Sequence, residues 1–163
     1  MAVDTKNRIW RLGPVLLWMI VIFCFSAQDA TASSALSGGI VDGLMEFGER
    51  WLCNFFGGAL NFPREMVSFA VRKAAHTSVY FVLALLVYRC QNVKSTIFQK
   101  NIKTLAICVV YAITDELHQY FVPGRSSEFR DVCIDTVGAA LGLLALFMAQ
   151  YFTKIRAARE SKG

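Results

Sequence analysis

The stretch V-C-I-D-T-V-G-A-A-L-G-L-L-A-L-F-M-A-Q-Y-F, Val132 to Phe152, carries a single charged side chain, Asp135. At a helical rise of about 1.5 Å per residue, roughly 20 such residues cross a hydrocarbon core about 30 Å thick. Two further runs meet that condition, Met66 to Tyr88, interrupted by Arg72 and Lys73, and Ile102 to Phe121. A fourth, Leu12 to Phe25, reaches spanning length once Trp10 and the Ser26-Ala27 step are included. Composition agrees, since the 163 residues are 55% apolar and 18% charged, against roughly 45–50% and 25% in soluble proteins. The predicted fold is all-α: a polytopic membrane protein, a four-transmembrane-helix bundle in one domain over residues 1–163. Its spans are expected near 10–27, 66–88, 102–121 and 130–152.

The first run has a competing reading. Lys6, Arg8 and Arg11, the apolar stretch and Ala30-Thr31-Ala32 match the three parts of a cleavable signal peptide. A retained anchor is the favoured expectation, because Pro14 and Trp18 are ordinary in one and an odd number of crossings must precede Met66. Orientation follows from charge. Lys6 to Arg11, Arg89 to Lys103 and Lys154 to Lys162 are the basic segments, so all three are expected in the cytoplasm with both termini. The acid-rich links Asp29 to Glu65 and Asp115 to Asp131 then lie outside. The net charge of +5 is spread along the inner face as anchors and implies no nucleic-acid partner. There is no C-x-x-C pair to indicate a disulfide framework or thiolate metal site.

Between the first two spans, Ile40, Val41, Leu44, Phe47, Trp51, Leu52, Phe55 and Phe56 recur at spacings of mostly three and four. That pattern predicts an outer amphipathic helix over about 39–56, covering the rim of the bundle or lying in the bilayer surface. Gly57-Gly58 ends it and Pro63 opens the next helix. In the last span, Gly138 and Gly142 share a face with Asp131 and Asp135, which predicts close helix packing with both carboxylates turned inward. The same G-x-x-x-G offers a contact for an oligomer.

Arg72, His76 and Tyr80 step by four and form one stripe, expected to face the bundle interior or a wet cavity. Lys73, turned about 100 degrees from Arg72, is expected to snorkel outward. Asp115 and Gln119 share a face of the third span, Glu116 is adjacent, and His118 reads as a surface residue. Val122-Pro123-Gly124 ends that helix with Gly124 suited to positive φ, and Ser126 or Ser127 caps the next. Each polar residue has a structural account: an interhelical ion pair for Arg72, a carboxylate partner for His76, a helix N-terminus for Asp131. Asp115, Glu116, Asp131 and Asp135 nonetheless exceed what one or two buried bases neutralise, and such clusters mark functional sites.

The pieces F-S-A-Q at Phe25 to Gln28, R-K-x-x-H at Arg72 to His76 with Tyr80, D-E-x-x-Q at Asp115 to Gln119, and P-G-R-x-x-x-x-x-D at Pro123 to Asp131 with Asp135 and Gly138 occur in that order. Together they resemble the VanZ-like family of small bacterial integral membrane proteins, named for a member associated with low-level teicoplanin resistance. The likeness runs from the first span to the last and departs at Asp135, where the family pattern favours asparagine. It implies a role in the cell envelope, at the bacterial cytoplasmic membrane, near wall precursors or antibiotic.

The favoured functional expectation is a polar pocket near the outer face that binds or modifies an amphipathic envelope molecule. Its partners would be a membrane lipid, a lipid-linked wall precursor or a glycopeptide antibiotic. Arg72, Tyr80, Gln119, Arg125 and Gln28 are the candidate binding residues, with guanidinium suited to phosphate or carboxylate. The catalytic alternative is a hydrolase or transferase acting on a phosphate-containing lipid through His76, Asp115, Glu116, Asp131 and Asp135. Of these, His76, Glu116, Asp131 and Asp135 are donors of the kind that hold a divalent cation such as Mg²⁺, Mn²⁺ or Zn²⁺. A small transporter and a purely structural bundle are the remaining classes.

Overall fold

The computed structural model describes residues 5–28, 35, 38–48, 50, 63–91, 95–125 and 127–160. Five helices account for the regular structure among them: α1, Thr5–Ser26; α2, residues 38–48; α3, Arg64–Cys90; α4, Ile97–Gln119; and α5, Phe129–Glu160. By length and composition α3, α4 and α5 are apolar enough to cross a membrane, and the apolar part of α1, Trp10–Ser26, is shorter. The outer end of the predicted 39–56 helix, with Trp51, Leu52, Phe55 and Phe56, lies outside the described residues. So do Gly57-Gly58, Asp29, Ala30-Thr31-Ala32, Lys94 and Ser126.

Helix ends differ from the apolar runs in a systematic way. The i to i−4 ladder is indifferent to polarity, so α3 runs past Met66 and Tyr88 to Arg64 and Cys90, and α5 past Phe152 to Glu160. Pro63 is the cap preceding α3, one place before the first helical residue. At the start of α4, the Gln99 amide donates to Thr96 Oγ1 and the Thr96 amide to Gln99 Oε1, both at 3.2 Å. This capping box fixes the helix start at Ile97, five residues before the predicted span. Replacing Thr96 by alanine is expected to cost about 1 kcal/mol, read as a lowered unfolding midpoint in detergent. After α4, Gly124 has φ 75, as its place after Pro123 predicts, and the Arg125 amide closes the turn on the Val122 carbonyl at 3.2 Å.

α3 sits at the centre, packed on α1, α4 and α5. Its buried residues lie three or four apart along one face: Tyr80, with Leu83 and Ala84 one turn on and Val87 the next, packs with Val15 and Ile22 of α1, Cys108 and Ala112 of α4, and Ala139 of α5. The α3–α5 contact depends on two glycines. A Cβ at Gly138 would lie 2.3 Å from the Thr77 carbonyl oxygen, and one at Gly142 would lie 2.7 Å from that of Phe81. The glycine face offered by the sequence for an oligomer is thus occupied within the chain, by α3. Polar ties near its middle help hold α1: Trp18 Nε1 donates to the Val79 carbonyl at 2.8 Å, and the Tyr111 hydroxyl to the Met19 carbonyl at 2.6 Å.

The outside of the bundle is as apolar as its inside. Leu16, Leu17 and Ile20 of α1, Val110 and Ile113 of α4, and Leu144 and Phe147 of α5 are all exposed. Contiguous exposed apolar surface on this scale suits lipid and not water.

The two ends of the bundle differ in charge. At one, the Arg11 guanidinium donates to the Arg89 carbonyl at 3.3 Å and Lys100 lies over the Tyr88 ring. At the other, α1 and α4 finish while α3 and α5 begin, and the acids collect there.

Candidate functional site

At the acidic end, a cavity of about 540 Å³ opens between α1 and α3, with residues of α4, α5 and the 120–128 turn completing it. Its lining is mixed: Ile22, Phe25 and Val79 contribute apolar side chains, and His76, Asp115, Gln119, Gln28, Arg72 and Arg125 contribute polar ones.

The polar groups are organised around Gln119. Its Nε2 donates to Asp115 Oδ2 at 3.2 Å and to Ser26 Oγ at 3.4 Å, while its Oε1 accepts from Arg125 at 3.1 Å. Arg125 also donates to the Phe25 carbonyl at 3.4 Å. One amide thus ties α4, the end of α1 and the turn into a single network. Burial holds the Arg125 guanidinium below its ordinary range, and the charge of Arg72 pushes the same way; the charges of Asp115 and Glu116 oppose them.

Lys73 does not snorkel outward. It forms an ion pair with Asp131, which joins α3 to the first turn of α5. Arg72 is exposed and lines the cavity. The reason lies in helical geometry: at about 100 degrees per residue, the buried positions Tyr80, Leu83, Ala84 and Val87 centre about 30 degrees from Lys73 and about 70 degrees from Arg72. Steps of three and four link Lys73 to His76, Tyr80, Leu83 and Val87. That spacing was the signal in the sequence that could have placed Lys73 inward.

Behind the cavity, His76 Nδ1 lies 3.6 Å from Asp135 Oδ1, an ion-pair distance too long for a hydrogen bond. Asp135 is fully buried, and neither of its oxygens has a hydrogen-bond partner among the described residues. Tyr80, one turn from His76, is fully buried, its hydroxyl has no hydrogen-bond partner among the described residues, and it does not line the cavity. Glu116 is also off the cavity, and its Oε2 accepts the Glu128 amide at 3.1 Å just before α5. His118 stacks on the Phe23 ring, with centroids 4.3 Å apart. The structure therefore brings His76, Asp115, Gln119, Arg72, Arg125, Asp131 and Gln28 to one cavity, and sets Glu116, Asp135 and Tyr80 behind it. Among the described residues no three His, Cys, Asp or Glu side chains converge as metal ligands, so His76, Glu116, Asp131 and Asp135 do not form one coordination site in this arrangement.

Residues 12–150 match the sequence model of the VanZ/LLP1 family. The chain belongs to the VanZ/LLP1 family. No curated protein and no solved structure matches it. The VanZ/LLP1 match takes in the apolar part of α1, all of α3 and α4, and α5 as far as Gln150, so every residue of the cavity falls inside it. The motif pieces acquire physical roles in this VanZ/LLP1 chain. F-S-A-Q supplies the Ser26 hydroxyl and the Phe25 carbonyl, D-E-x-x-Q the Asp115–Gln119 pair, and P-G-R the turn that aims Arg125 at Gln119.

Proposed function

We propose that this VanZ/LLP1 protein is a four-span protein of the bacterial cytoplasmic membrane whose cavity binds an amphipathic envelope molecule at the outer face. The mixed lining of the cavity carries the reading: apolar Ile22, Phe25 and Val79 together with the hydrogen-bonded network of Gln119, Asp115 and Arg125. An apolar chain would lie against Ile22, Phe25 and Val79, and a polar head against the network. Sidedness draws on the opposite end of the bundle, where Arg11, Arg89 and Lys100 collect. Basic residues are retained in the cytoplasm, which leaves the cavity outside.

Catalysis through Glu116 draws less support, because that carboxylate is bonded to the Glu128 amide and stands away from the cavity.

The test is purification in mild detergent followed by mass spectrometry of co-purified amphiphile. The wild type is expected to carry one class of lipid enriched over the bulk membrane. Ala75→Trp, which fills the cavity from an exposed position, is expected to lose most of it with unchanged folded yield. A wild type that carries no enriched amphiphile and takes up none on addition would end this reading.

A further inference from the structure

The charged groups around the cavity are not all paired with one another directly. Lys73 pairs with Asp131, and Arg130 pairs with Glu128 at 2.7 Å. Arg72 and Arg125 have no carboxylate within ion-pair distance among the described residues. Among the described residues, the bonds of Arg125 go to two neutral oxygens, Gln119 Oε1 and the Phe25 carbonyl, and no carboxylate touches it. Two guanidiniums on different elements, α3 and the 120–128 turn, therefore line one cavity with no carboxylate in direct contact among the described residues. A phosphodiester keeps its negative charge at all ordinary pH values, and its two non-bridging oxygens can each meet one guanidinium.

Asp115 supplies a second, independent requirement. It lines the cavity at only 3% exposure, with Oδ2 taken by Gln119 and Oδ1 without a hydrogen-bond partner among the described residues. A buried carboxylate oxygen left without a donor is costly. A ligand whose N–H or O–H group reaches this oxygen removes that cost.

We infer that the cavity recognises a phosphate-bearing lipid headgroup at two points: Arg72 and Arg125 hold the phosphate, and Asp115 accepts a hydrogen bond from an adjoining ammonium or hydroxyl. The inference rests on the amphiphile-binding reading and adds the headgroup to it. A headgroup of ethanolamine type satisfies both points, a choline headgroup only the first, and a diacylglycerol lacks the phosphate.

The experiment is a competition titration of the purified full-length protein in detergent against a fluorescent phospholipid. The competitors are ethanolamine phospholipid, choline phospholipid and diacylglycerol of matched chains, together with inorganic phosphate. Ethanolamine phospholipid is expected to bind about tenfold more tightly than choline phospholipid, as one charge-assisted hydrogen bond allows. Diacylglycerol should be weaker again, and inorganic phosphate should not compete at the same concentrations. Arg72→Gln, at an exposed position, should weaken both phospholipids about tenfold and leave diacylglycerol unchanged. Asp115→Asn should narrow the preference for ethanolamine over choline. Equal binding of diacylglycerol and the phospholipids, or of the ethanolamine and choline forms, would overturn the two-point headgroup while leaving an amphiphile site. Inorganic phosphate competing as well as the lipids would overturn it in favour of a free anion. Absence of binding by every lipid would remove the amphiphile reading too.

Discussion

Replacing Gly138 by leucine is expected to destroy the folded bundle. The first carbon added there meets the Thr77 carbonyl oxygen at 2.3 Å and the Thr77 carbonyl carbon at 3.0 Å. Both are backbone atoms of the central helix, so no rotamer change can relieve the overlap; α3 and α5 must move apart. Separation would open the contact between Ala139 and the α3 face of Leu83 and Ala84. It would also pull Asp131 from Lys73 and Asp135 from His76. Overpacking costs about 1–3 kcal/mol where side chains can adjust, and here they cannot, so a loss of about 3 kcal/mol or more is expected. Gly142→Ala should be milder, because its nearest contact is 2.7 Å to the Phe81 carbonyl. Thermal unfolding and size-exclusion profiles in detergent measure both. A Gly138→Leu protein with the wild-type midpoint and a changed oligomeric state would instead mean that the glycines serve a second copy.

The second large effect is expected at Lys73. Its side chain is 20% exposed and that of Asp131 11%, so the pair is mostly withdrawn from water. Lys73→Met leaves the Asp131 carboxylate without its cation. Loss of one partner from a fully buried pair costs about 3–5 kcal/mol; the remaining exposure lowers the expectation to about 2 kcal/mol. Removing both charges should cost less than the sum of the single changes. A cycle of Lys73→Met, Asp131→Leu and the double variant is expected to show a coupling of about 1–2 kcal/mol. Additive costs would mean that the two groups act independently and that the join between α3 and α5 lies elsewhere.

These effects fall on residues whose environment was unequally legible in the sequence. The apolar runs around Val79, Val109 and Leu143 announce helices because unbroken apolar length has few other uses, and α3, α4 and α5 contain all three. The convergence of Asp115, Gln119, Arg125 and Asp131 was also readable, since alternating helix direction brings the end of α4 and the start of α5 together across a short turn. Gly124 was readable from steric rules alone. The orientation of Lys73 is not legible from a stripe stepping by four; it follows the alternation of three and four that packed helices select. The engagement of Glu116 with the Glu128 amide was not readable at all. That contact depends on how the 120–128 turn folds back, which no periodicity encodes.

The sequence alone determined that the chain is helical and suited to lipid, which residues could carry charge into it, and the order of the motifs that mark the VanZ/LLP1 family. Helical hydrogen bonds and hydrophobic length are local, so they can be counted along the chain. Only the tertiary structure decided that Gly138 admits the backbone of α3, that Lys73 and not Arg72 neutralises Asp131, and that Asp115 reaches the cavity while Asp135 and Glu116 stand behind it. Those outcomes depend on the rotation of each helix about its own axis. Packing of the whole bundle sets that angle, and a change of about 40 degrees moves a side chain from one neighbour to another.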